Sequence, residues 1–142
     1  MTVSEKDRDI LARNLWGEAR GEGLAGQIAV AWTTIRNRVE DGKAKSWWGE
    51  GYAGVCLKPY QFSCWNQNDP NYPYLSGAKP IPPKQFAQAQ RAADLVISGA
   101  EADITKGATH YYATTMPKAP AWAAKAAQTM RLGNHLFSKD VP

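Results

Sequence analysis

The sequence predicts an α+β domain, mainly α-helical, with a small antiparallel sheet near the C-terminus. Three observations carry that prediction. Apolar residues recur at steps of three and four in three segments before residue 100. The stretch ATHYYAT (108–114) alternates like a strand. Gly133–Asn134 sits between two short apolar runs in TMRLGNHLFS, the pattern of a tight hairpin. The chain has 142 residues and shows no repeat, linker or low-complexity stretch, so one domain over 1–142 is expected.

The first helix is predicted to begin at Ser4, whose hydroxyl can cap it, with Asp7 completing a box-like start. Ile10, Leu11 and Leu15 define its apolar face. Glu18, three residues past Leu15 and seven past Leu11, continues that stripe. Gly21 and Gly23 then break the helix. A second helix runs from Leu24 to Asp41, with Leu24, Ile28, Ala31, Trp32, Ile35 and Val39 on one face and Asp41–Gly42 as its stop. Near its end lie Arg36, Asn37 and Arg38, where cations suit the helix dipole.

Residues 42–82 read as loop, rich in Gly, Pro and Asn. Trp47, Trp48, Tyr52, Tyr60, Phe62, Trp65, Tyr72 and Tyr74 give that loop something to bury, so it is expected to be ordered and to form a cleft wall. Pro82–Pro83 opens a third helix to Ser98, with Phe86, Ala89, Ala93, Val96 and Ile97 inward and Gly99 as its stop. The strand 108–114, a Pro- and Ala-rich helical turn around Trp122 and the hairpin 129–138 complete the chain.

Hydrophobic residues make up 44% and charged residues 21%, which places the chain among globular proteins and not disordered ones. No apolar run approaches the roughly 20 residues that span a bilayer. The start, MTVSEKDRDI, lacks the apolar core of a signal peptide, so synthesis as a cytoplasmic species is expected. The net charge of +4 comes from scattered basic residues, without a nucleic-acid-binding arm. Cys56 and Cys64 match no common zinc spacing. Two reduced thiols are expected in a cytosol, although a disulfide across KPYQFS is sterically possible.

Glu18 is the leading chemical candidate. The ordinary role of such a residue is a helix-end carboxylate satisfied by Arg20, Arg13 or a backbone amide. Its place on the apolar stripe, Trp16 two residues away and the glycines beyond it instead suit a desolvated general acid approached by an extended ligand. Glu22, beyond the break at Gly21, reads as local support, and Arg20 as an orienting or salt-bridging partner. Glycosidases usually pair two carboxylates, and Asp69 is the only tempting second one. A one-carboxylate mechanism is therefore favoured, with Glu18 as acid and then base. Gln61 and Ser63 flank an inward Phe62 and so face the opposite way, toward hydrogen bonds with a sugar or simply with the backbone. His110, Tyr111, Tyr112, Trp122 and His135 read singly as core, surface or ligand-binding residues.

Taken in order, WGEARGEG, a helix ending NRV, QFSCW, ATHYYA, Pro120 with Trp122, and LGNHLF resemble the cell-wall hydrolase family of spore cortex-lytic enzymes. Phage endolysins with the same catalytic domain belong to that group. The resemblance runs from Leu11 to Phe137. It implies a lysozyme-like, mainly helical fold and cleavage of the β-1,4 bond between N-acetylmuramic acid and N-acetylglucosamine by a lytic transglycosylase or a muramidase-type hydrolase. It places catalysis on Glu18. It gives Gln61, Phe62, Ser63, His110, Tyr111, Tyr112 and His135 roles in lining or supporting the cleft.

With no export signal and no separate wall-binding domain read from the sequence, a phage endolysin is expected. It would wait in the host cytoplasm until the membrane is permeabilised, and act as a monomer on glycan strands. No metal or organic cofactor, nucleic-acid partner or stable membrane insertion is expected. The rivals are a non-catalytic wall-binding module, a single-stranded nucleic-acid binder and a metal site on Glu18, His110 and His135.

Overall fold

The structure, a computed structural model, describes residues 3–40, 48–49, 51–59 and 61–139, the side chains of 34, 35 and 40 excepted. The expected stop at Asp41–Gly42, Trp47, Tyr60 and the inward side chain of Ile35 lie outside the described residues.

Helix α1 (Glu5–Ala19) starts as its sequence predicts. The Asp7 backbone N–H donates to Ser4 Oγ at 3.1 Å, and the Ser4 N–H donates to Asp7 Oδ2 at 3.2 Å. Asp7 has a second task that local pattern does not reveal. Its Oδ1 accepts the N–H of Ala53 at 3.0 Å, tying α1 to helix α4 (Gly51–Leu57). Leu11 and Leu15 are fully buried, as the stripe requires.

The predicted second helix is continuous in extent but not in type. α2 (Leu24–Val30) passes into a π-helical segment (Ala31–Arg36) and then α3 (Asn37–Glu40). The Asn37 N–H bonds to the Trp32 carbonyl, five residues back, which marks the wider turn. The extra residue shifts the phase of the helix beyond it. In an uninterrupted α-helix, residue 37 would extend the buried face of Val30 and Thr33. Here Arg38 takes that face and is 7% exposed, while Asn37 is half-buried.

The reading of 42–82 as loop needs correction. It contains α4, a 3₁₀ turn (Ser63–Trp65) and α5 (Tyr72–Leu75). α4 has a weak local signature because it is seven residues long and carries two glycines in GYAGVCL. It is still a core element, burying Tyr52, Val55 and Cys56. Helix α6 (Pro83–Ile97) packs on α1 and α2 and buries Ala89, Ala92, Ala93 and Val96.

Strands β1 (His110–Ala113), β2 (Ala127–Leu132) and β3 (His135–Lys139) form an antiparallel sheet in the order β1-β3-β2. The register pairs Tyr111 with Phe137 and Tyr112 with Leu136. Gly133, at φ +55°, supplies the left-handed residue of the β2–β3 turn. Phe137 packs with Ala29 of α2 and with Ala108, which seats the sheet against the helical core. The loop before β1 is organised by Asp103. Its carboxylate accepts from Asn37 Nδ2 at 3.0 Å and from the Gly107 N–H at 2.9 Å. The predicted mainly helical architecture with a small C-terminal sheet is thus what the chain forms.

Candidate active site

Glu18 lies in the last turn of α1, half-buried, on the wall of a groove of about 410 Å³. Gln61, Phe62 and Ser63 bring the QFS segment to that groove. His110, Tyr111 and Tyr112 bring β1, and Met116, Pro120 and Trp122 close it from the C-terminal turn. The sequence candidates for substrate contact therefore meet in one place.

The carboxyl group is in an environment that favours its proton. Burial raises its pKa above the ordinary glutamate value, and the negative charge of Asp69 adds to the rise. Hydrogen bonds from the Cys64 thiol and the Cys64 backbone N–H, together with His135, act in the opposite direction without cancelling it. The Tyr111 hydroxyl also bonds to Glu18, and burial holds that phenol well above its usual range.

Cys64 reaches Glu18 because α1 carries a glycine at position 17. A Cβ there would lie 2.9 Å from both Cβ and Sγ of Cys64 and 3.3 Å from Leu75. Only a bare backbone lets the QFSCW segment approach so closely. Cys56 and Cys64 are free thiols, both buried, with pKa values raised chiefly by burial.

One side of the groove is aromatic. The His110 ring lies 5.4 Å from Trp48 and 5.0 Å from Trp122, and Tyr112 meets Trp122 edge-on at 5.7 Å. Burial, followed by the charge of Arg38, lowers the His110 pKa to about 4, so its imidazole is neutral at neutral pH. Its Nδ1 lies 3.0 Å from the Thr109 hydroxyl. Gln61 lines the groove and also holds it together, with Nε2 donating to the carbonyls of Trp48 at 2.8 Å and Val55 at 2.6 Å.

Five residues singled out in the sequence lie behind the groove or away from it. Glu22 pairs with His135 at 2.9 Å, joining the start of α2 to β3. The His135 ring meets Tyr111 edge-on at 5.1 Å. Arg20 is exposed and stacks over Trp16 at 4.4 Å, with one guanidinium N–H to the Trp16 carbonyl at 3.4 Å. Its contacts thus finish the helix end and do not orient Glu18. Trp16 faces the same way, donating to Gln85 Oε1 at 2.9 Å, so it is not the apolar neighbour that desolvates Glu18. Asp69 does not line the groove, and its Oδ1 accepts the Asn71 N–H at 2.8 Å.

Sequence reasoning misses Gly17, Cys64 and Arg38. The cysteine in QFSCW suggests only redox chemistry or metal binding when met in sequence. Arg38 is hidden by the π-helical phase shift. Among the described residues, no group of three His, Cys, Asp or Glu side chains is placed to hold a metal ion.

Residues 21–138 match the family model of cell wall hydrolases. The chain belongs to that family. The matched stretch includes every groove residue named above except Glu18, which lies three residues before it. A spore cortex-lytic enzyme of Halalkalibacterium halodurans is 28% identical over 134 residues, which cover 94% of this chain and 35% of that protein. The chain thus spans about a third of the curated relative it matches. Among solved structures, it resembles the catalytic domain of the germination-specific lytic transglycosylase SleB from Bacillus anthracis. That match has a TM-score of 0.71 and 27% identity, and covers 96% of this chain and 97% of that one. The catalytic domain of the Bacillus cereus SleB protein gives a TM-score of 0.72 and 27% identity, over 97% and 93% of the two chains.

Proposed function

We propose that this family member cleaves peptidoglycan as a lytic transglycosylase, at the β-1,4 bond between N-acetylmuramic acid and N-acetylglucosamine. The observation that carries the reading is Glu18. It is a half-buried carboxyl with a raised pKa on the wall of an aromatic groove, and among the described residues no second carboxylate lines that groove. Glu18 donates its proton to the glycosidic oxygen as the C1–O4 bond breaks. It then takes the proton from the C6 hydroxyl of the same muramoyl residue as O6 bonds to C1. The proton count balances, no water is consumed and a 1,6-anhydro end results. Cys64 and Tyr111 hold the carboxyl in place, and the His110–Trp122–Tyr112 wall offers faces for sugar rings.

A muramidase-type hydrolase is the second reading, favoured by the charge of Asp69 acting on Glu18. Mass spectrometry of fragments released from purified peptidoglycan separates the two. Anhydromuramic ends are expected. Reducing ends would assign the hydrolase, and no soluble fragments would overturn both in favour of a wall-binding module.

We further propose that the protein serves as a phage endolysin in host-cell lysis, acting as a monomer on the wall once the membrane is permeabilised. The support is the resemblance of its motifs to endolysins of this family. Co-expression with a membrane-permeabilising protein should clear a bacterial culture, and expression alone should not.

A further inference from the structure

The groove holds a cation that the proposed chemistry does not use. Arg38 is 7% exposed, yet it lines the same groove as Glu18. Its Nε donates to the Thr109 carbonyl at 2.9 Å. The guanidinium lies over Trp48 at 4.4 Å and faces Phe62 at 5.7 Å. These contacts fix the plane of the fork without neutralising it. Arg8 and Arg13 pair with Asp94 and Asp9. Arg38 has no carboxylate partner among the described residues, and the groups acting on its charge are Tyr111 and Cys56, both held protonated by burial.

Burial lowers the Arg38 pKa only to about 10, so the charge persists at neutral pH. Of the lining groups, His110 is neutral, and Glu18 is not among the groups that act on the Arg38 charge. A desolvated cation without a counter-ion is costly to keep, and a planar guanidinium is shaped to take a carboxylate on two parallel bonds.

We propose that Arg38 is a specificity-determining residue that binds a carboxylate of the glycan strand, so that the enzyme selects acidic strands over neutral β-1,4 N-acetylglucosamine polymers. The inference rests on the proposed peptidoglycan-cleaving function. The carboxylate can come from the lactyl group of a muramoyl residue, where the stem peptide is absent, or from the stem peptide itself.

The test compares intact peptidoglycan strands with strands stripped of stem peptides by an amidase. Each is assayed before and after carbodiimide conversion of its carboxylates to methylamides. Blocking should raise the wild-type KM at least tenfold with little change in kcat. An effect on stripped strands names the lactyl group as the ligand, and an effect confined to intact strands names the stem peptide. Arg38→Met should begin with the raised KM and be insensitive to blocking, and Arg38→Lys should fall between. An unchanged wild-type KM on both blocked substrates would overturn the inference while leaving the activity standing, and needs no folded variant. Failure of the wild-type protein to cleave any strand would instead remove the activity, and the inference with it.

Discussion

Glu18 and Glu22 stand four residues apart in GEARGE, yet their surroundings have little in common. Glu18 has a thiol, a backbone N–H and a phenol as hydrogen-bond donors, with Asp69 as a repelling neighbour. Glu22 has His135 at 2.9 Å and is fitted between two glycines. A Cβ at Gly26 would lie 2.7 Å from the Glu22 Cβ, and one at Gly133 would lie 2.7 Å from Glu22 Oε2. One carboxyl is desolvated and held by a thiol, a backbone N–H and a phenol, and the other is held by an imidazole nitrogen at 2.9 Å. That difference separates the proposed proton donor from a strut, although both residues are glutamates in one short motif.

The comparison can be broken most sharply at Glu18. Replacement by Gln should lower peptidoglycan cleavage by roughly 10²–10⁴-fold, the usual contribution of a general acid–base group, while the far-ultraviolet circular dichroism is retained. A raised folded-state pKa means that the native carboxyl holds its proton where the unfolded one has lost it. Wild-type stability should therefore fall as pH rises from the unfolded value of about 4.3 through the raised folded one. Glu18→Gln should accordingly melt at a higher temperature than wild type at neutral pH and at a similar temperature in acid.

Gly17→Ala should come next in size. Forcing a methyl group against Cys64 costs about 1–3 kcal/mol and moves the Cys64 donors off Glu18. Activity should drop beyond what the folded fraction explains, and a crystal structure should show the 62–65 segment displaced. Glu22→Ala tests the strut. Leaving the His135 N–H without its acceptor should cost about 1–3 kcal/mol, read by urea denaturation, whereas Glu22→Gln keeps an acceptor and should recover most of it. Corrected for the folded fraction, both Glu22 variants should keep far more activity than Glu18→Gln. The smallest effect is expected at the far end of the same helix. Ser4→Ala removes a cap worth about 1 kcal/mol, lowering the melting temperature without changing the rate per folded molecule.

The parts of this arrangement legible in the sequence are those written in local periodicity. The Leu11–Leu15 stripe puts Glu18 inside, the Ser4–Asp7 box sets where α1 begins, and Gly133–Asn134 marks the hairpin. The illegible parts depend on contacts between distant segments. Nothing near Gly17 in the chain says that Cys64 will press against it. Asp7 looks like a complete capping residue until Ala53 arrives on its other oxygen. The Leu24–Asp41 pattern is strong enough to suggest an unbroken α-helix, and the π-helical turn that gives Arg38 the buried face leaves no mark in it. Trp16 is near Glu18 in the chain but not in the groove, since it packs under Arg20 and against Tyr74.

The central claim is that the Glu18 carboxyl is held toward its protonated form while Glu22, four residues on, is fixed against the His135 ring at 2.9 Å. Carbon-13 NMR titration of the glutamate side-chain carboxyls, with Glu18 assigned by its loss in Glu18→Gln, measures this directly. Glu18 should titrate clearly above the ordinary value of about 4.3 for a glutamate. A Glu18 carboxyl that titrates at or below that value would contradict the account.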